Sequence, residues 1–102
     1  MKPNSIRQHP ALNHLEACIS ATNAPRGAHT MLRVDADDAR LQLTHNLNSG
    51  ASLNMPLLGL TISVKDLFDV AGQVTQAGAV CLDKAAPATT DAPALARLKQ
   101  AG

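Results

Sequence analysis

A length of 102 residues fits one modest domain and leaves no room for two. The formal net charge is +1 and the nine lysines and arginines are scattered, so the sequence lacks the basic stripe typical of nucleic-acid binders. Hydrophobic residues make up 45% of the chain, yet Phe68 is the only aromatic residue. Because aromatic side chains contribute most to small cores, we expect marginal stability if the chain stands alone.

Hydropathy and cysteine spacing indicate the cellular context. No segment approaches the roughly 20 apolar residues of a membrane span, and residues 1–10 are too polar for a signal peptide. We therefore expect a soluble, cytoplasmic protein with no membrane and no nucleic-acid partner. Cys18 and Cys81 are far apart, which predicts two reduced, buried thiols. His14 lies four residues before Cys18, but structural zinc needs four ligands, so no metal site is predicted.

The first half of the chain predicts two helices. Apolar residues recur at helical spacing over residues 10–19, and the proline and glycine at residues 25–27 break that helix. Residues 30–34, TMLRV, are a brief extended candidate. Asp35 is the predicted N-cap of a second helix that stops near Gly50. Its predicted buried side consists of Ala36, Ala39, Leu43 and Leu47.

The second half predicts strands and one more helix. Residues 60–65 alternate apolar and polar side chains, which predicts a strand ending on Lys65. On this pattern alone, a solvated lysine at a strand end is more common than a catalytic one. Residues 73–78 predict a second, short extended piece, and residues 83–90 a loop. The sequence DAP at residues 91–93 is typical of a helix start.

Helix, strand, short strand and helix in this order are typical of an α/β protein. Residues 56–78, PLLGLTISVKDLFDVAGQVTQAG, and residues 91–102, DAPALARLKQAG, carry a more specific pattern. They closely resemble the amino-terminal part of the amidase signature family, which includes bacterial amidases and the A subunit of glutamyl-tRNA amidotransferase. The resemblance implies an α/β fold with helices flanking a mixed sheet, incomplete in this chain. We expect one partial amidase domain over residues 1–102, with a helical part at 5–49 and the recognisable strand-turn-helix segment at 56–102.

The resemblance also implies a reaction, the hydrolysis of carboxamide C–N bonds by a Ser–cis-Ser–Lys mechanism. Lys65 occupies the position of the family's catalytic lysine, and a neutral lysine can take the proton of a serine nucleophile. Both serines of the family belong to a Gly- and Ser-rich segment that these 102 residues do not contain. The isolated chain is therefore expected to be inactive. The mechanism needs no cofactor, and the complete enzyme would take a small-molecule amide.

Two hypotheses remain open. In the first, the chain is a portion of an enzyme that residues outside this sequence or another chain complete. In the second, it is a non-catalytic remnant or small interaction module in which Lys65 is only a polar strand residue. Apolar surface left exposed by truncation would favour association in either case. Asp66 and Asp69 could form an acid pair, although aspartates before a glycine-containing turn more often cap backbone amides.

Overall fold

The computed structural model describes residues 9–102, so residues 5–8 of the predicted helical part lie outside the described residues. The described residues divide into two compact units, one formed by residues 9–61 with Ala101–Gly102 and the other by Ile62–Gln100. Short 3-10 turns occupy Pro25–Gly27, Ser52–Asn54 and Val80–Leu82. The α-helices are α1 at Pro10–Asn23, α2 at Ala36–Asn48 and α3 at Pro93–Gln100.

The predicted α/β fold with a mixed sheet is wrong for this chain, because residues 9–102 form helices, turns and irregular backbone without a strand. The three segments predicted as extended, residues 30–34, 60–65 and 73–78, are all irregular or turn-forming. A strand is stable only when a neighbouring strand takes up its backbone hydrogen bonds. No group within residues 9–102 accepts a hydrogen bond from the backbone N–H groups of residues 61–66. The segment at residues 60–65 therefore has the alternation of a strand but no partner strand in the described part of the chain.

The three predicted helices are confirmed. Pro10 suits the first turn of α1, since its missing N–H needs no partner there, and the His9 side chain accepts a hydrogen bond from the Ala11 amide. Helix α1 ends at Asn23, where the breaker at residues 23–27 was predicted to stop it. Asp35 is the N-cap of α2, as predicted, and its carboxylate pairs with Arg33.

The core of the first unit lies between α1 and α2. Leu15 and Ile19 of α1 pack with Leu43 and Leu47 of α2, and each of these side chains is buried. The predicted apolar side of α2 is thus confirmed, and the helical spacing of three and four residues explains it. The partly buried residues around this cluster are Ala11, Leu12, Ala36, Ala39 and Leu58.

An ion pair on the surface also joins α1 and α2. The Arg40 guanidinium donates from Nε to Oε1 of Glu16 at 2.7 Å and from Nη2 to Oε2 at 3.0 Å. A third bond runs from Nη1 to the Asp37 carboxylate at 2.9 Å. The hydrogen bond from Arg40 holds the pKa of Glu16 below its ordinary value. The ion pair links the two helices. Because its groups are exposed, it adds little to the free energy of unfolding.

The prediction of two reduced, buried thiols is confirmed for the free thiols and wrong for their burial. Both cysteines are free, but Cys81 is exposed and Cys18 is partly buried. Cys81 lies in the short 3-10 turn rather than under a helix, so no apolar face covers it.

None of the helices in residues 9–102 combines the length and the apolar character needed to cross a membrane.

Candidate functional site

Lys65 lies in the second unit, at the start of a turn. Its carbonyl oxygen accepts hydrogen bonds from the amides of Leu67 at 2.7 Å and Phe68 at 3.1 Å. The lysine side chain is exposed, and no ion pair or hydrogen bond involves its ammonium within residues 9–102. The structure therefore presents the amine outward on a folded turn. Its catalytic role stays a prediction.

The two aspartates after Lys65 hold this turn to the segment that follows it. Asp66 Oδ1 accepts a hydrogen bond from the Gln76 amide at 3.2 Å, while Asp69 Oδ1 accepts one from the Thr75 hydroxyl at 2.7 Å. The prediction that these residues cap backbone groups is confirmed for Asp66. Asp69 binds a side chain instead. Each carboxylate thus has a hydrogen-bond partner of its own on the segment that follows the turn.

Backbone hydrogen bonds tie residues 69–73 to residues 88–92. The Gly72 amide donates to the Ala88 carbonyl at 2.8 Å, and the Ala88 amide donates to the Gln73 carbonyl at 2.9 Å. The Ala92 amide donates to the Asp69 carbonyl at 2.9 Å. Gly72 adopts a φ of 80°, a conformation that glycine reaches without the strain of a Cβ atom. These contacts fix the chain that follows Lys65 without any strand.

Asp91 is the residue whose role the sequence reasoning missed. We expected it at the start of a helix, which is where it lies, directly before Ala92 and Pro93. Its carboxylate instead accepts a hydrogen bond from the Ala71 amide at 2.8 Å and pairs with the Lys99 ammonium at 2.8 Å. The sequence DAP predicted that Asp91 lies at the start of a helix. No local pattern predicted that its carboxylate would bind the amide of Ala71, twenty residues earlier.

These contacts lower the pKa of Asp91, the Lys99 hydrogen bond most and the Ala71 N–H next. A carboxyl whose pKa is lowered on folding stabilises the fold above its unfolded pKa of about 3.9 and loses that contribution at lower pH. We expect Asp91→Asn to cost about 1 kcal/mol at pH 7, because the ion pair is partly exposed. The difference from wild type should shrink as the pH falls below about 4.

The free energy of unfolding is measured by urea denaturation at pH 7 and at pH 3. The NMR resonance of the Ala71 amide reports the unfolding transition. Asp83→Asn is the matched control, since Asp83 is an exposed aspartate in the same unit and its side chain has no described partner. We expect this control to match wild type at both values of pH. A cost for Asp91→Asn that is the same at pH 3 as at pH 7 would contradict the assignment.

Metal ligation has no support in the described part of the chain. No group of three or more histidines, cysteines, aspartates or glutamates within residues 9–102 could hold a metal ion. The carboxylates of the second unit bind amides, a hydroxyl and an ammonium instead. The site itself presents the exposed Lys65 amine on a turn that Asp66 holds.

Comparison with known proteins identifies a family. A family model described as Amidase matches residues 13–102, which is all of the chain except its first twelve residues. No curated protein and no solved structure matches the chain. The matched range includes Lys65 and the turn behind it, and it also includes most of α1 and all of α2.

Proposed function

The chain belongs to the amidase family, whose members are hydrolases of carbon–nitrogen bonds, and we propose that it supplies the lysine base of a carboxamide hydrolase. Lys65 is the base, and the reaction is of the Ser–cis-Ser–Lys type. The family match across Lys65 and its turn is the observation that carries the proposal. The substrate is a small-molecule amide.

The geometry of the second unit supports this role for Lys65. The turn behind the lysine is held on two sides, by Asp66 on the Gln76 amide and by Asp91 on the Ala71 amide. A catalytic amine has to stay within hydrogen-bond reach of the proton that it removes. A braced turn limits the backbone motion that would carry the amine away. The absence of a competing carboxylate on the Lys65 ammonium, among residues 9–102, leaves the amine available.

The serines of the mechanism come from polypeptide outside these 102 residues. A serine hydroxyl attacks the amide carbonyl after its proton passes through the second serine to the lysine, and the same proton is then given to the departing nitrogen. Lysine can act as a base only in its neutral form, which removal from water favours. Lys65 is exposed in the described chain. The serine-bearing polypeptide would therefore also have to cover it.

The experiment is a chimera in which residues 56–102 of this chain replace the corresponding segment of an active amidase-family enzyme. We expect the folded chimera to hydrolyse simple primary carboxamides, because it then contains the lysine and both serines. The 102-residue chain alone, assayed on the same panel, is expected to show no turnover. A folded chimera without turnover, or turnover by the chain alone, would contradict the proposal.

The surface around Lys65 supports a second role, the binding of a polypeptide partner. Ile62 and Val64 before the lysine and Leu67 and Phe68 after it are all exposed, Phe68 to 44%. Runs of exposed apolar side chains on a folded protein often mark binding surfaces. We name these four residues the apolar run. The partner that we propose for it is the serine-bearing polypeptide.

We expect the chain to bind a family enzyme from which the segment corresponding to residues 56–102 has been deleted. The double variant Ile62→Ser with Phe68→Ser should weaken that binding about tenfold or more, because it removes apolar contact area. Isothermal titration calorimetry measures the affinity. Leu53→Ser is the matched control, because Leu53 is 96% exposed but belongs to the other unit. Equal affinity for the double variant and wild type would exclude the apolar run as the binding surface. Binding without restored turnover would favour the interaction module.

A further inference from the structure

Three polar side chains of the first unit meet at the Cys18 sulfur. His14 and Cys18 lie four residues apart on α1 and thus on the same face, which brings the His14 Nε2 atom to 3.6 Å from Cys18 Sγ. The Thr61 hydroxyl donates a hydrogen bond to the same sulfur at 3.4 Å. Thr61 is 43 residues away in the chain, so the fold rather than the helix assembles this cluster.

The other cysteine of the chain lacks such surroundings. Cys81 is exposed, and no hydrogen bond to its sulfur occurs within residues 9–102. Cys18 is partly buried and His14 beside it is exposed, so the cluster lies at the surface of the first unit. The two thiols therefore differ in the groups around them, and the more exposed of the two has fewer partners.

The arrangement is that of an assisted nucleophile. A thiol attacks only after it loses its proton, and an imidazole within hydrogen-bond reach can accept that proton as a general base. With the proton on His14, the Thr61 hydroxyl still donates to the sulfur, which stabilises the negative charge there. Cys18, His14 and Thr61 thus provide the nucleophile, the base and a hydrogen-bond donor.

We propose that Cys18 is a modification site that forms mixed disulfides with small disulfides, with His14 as its base and Thr61 as a positioning residue. The Cys18 S–H proton moves to His14 Nε2, and the thiolate attacks one sulfur of the incoming disulfide. The new S–S bond forms as the old one breaks, and the second sulfur leaves as a thiolate that takes a proton from His14 or water. No other oxidant is needed. This inference is independent of the amidase proposal.

The test treats the 102-residue chain with glutathione disulfide at pH 7 and follows each cysteine by peptide mapping and mass spectrometry. We expect Cys18 to form the mixed disulfide about tenfold faster than Cys81, a small gain for general base assistance because the site is partly open to water. Cys81 serves as the reference thiol inside the same molecule. Equal rates, or a faster Cys81, would overturn the proposal.

Variants separate the chemistry from simple accessibility. His14→Gln keeps a polar side chain that cannot take up the proton, so the Cys18 rate should fall to that of Cys81 while the Cys81 rate is unchanged. Thr61→Val should lower the Cys18 rate by a smaller factor. His45→Gln, on α2, is the control and should change neither rate. A fast Cys18 that is indifferent to His14→Gln would refute the role of the histidine.

Discussion

Turnover by the chimera that carries residues 56–102 is expected to fall about 10³-fold or more when Lys65 is replaced by alanine. Without the amine, neither serine has a base, and the attacking hydroxyl keeps its proton through the first step. Binding of the carboxamide should change little, because the lysine acts on the serines rather than on the substrate. The measurement is kcat and KM for a primary carboxamide at pH 7 to 9.

Two further variants of the chimera make this test specific. Lys84→Ala removes an exposed lysine from the loop of the same unit and should leave kcat within about twofold of the unsubstituted chimera. Lys65→Arg keeps the positive charge but cannot give up its proton, so it should be as inactive as Lys65→Ala. An arginine variant that retains most of the activity would show that the residue acts by its charge and not as a base.

Replacing Leu47 by alanine is expected to cost about 2–5 kcal/mol in the free energy of unfolding. Leu47 is 3% exposed and packs with Leu15, Ile19 and Leu43. The first unit falls below the roughly 70–80 residues under which a single core supplies only about 3–5 kcal/mol, so loss of one leucine would leave most molecules of the variant without a stable helix pair. Circular dichroism at 222 nm during urea denaturation measures the effect.

Leu41→Ala is the matched control for this prediction. Leu41 lies on the same helix, α2, but is 70% exposed, so its replacement should cost less than about 0.5 kcal/mol. The two variants remove the same atoms from the same helix and differ only in burial. Equal costs at the two positions would mean that the leucine cluster is not the core of this unit.

Helices were predictable from the sequence because their signals are local. Pro10 and Asp35 mark the beginnings of α1 and α2, and the three- and four-residue spacing of leucines identifies the sides that become buried. Pro93 marks the beginning of α3 in the same way. In α1 and α2 the residue before the helix, the helix start and the apolar stripe lie within about four turns of one another, so one short window contains these signals.

Strands were predictable only as a pattern. Residues 60–65 alternate as a strand should, but the hydrogen bonds that stabilise a strand come from another segment, and residues 9–102 supply none to the amides of residues 61–66. The exposure of Phe68 has the same origin. An apolar side chain on such a segment is buried only when another helix or sheet packs over it. A single sequence window does not show whether such an element is present.

The sequence by itself determined the three helices, the leucines of the core and the motif around Lys65, because each depends on residues close together in the chain. Only the tertiary structure decided that Asp91 braces Ala71 across twenty residues, and that Thr61 joins His14 and Cys18 across more than forty. Both contacts form between segments that meet on folding. Their geometry follows from the path of the backbone, and no local pattern of residue types encodes that path.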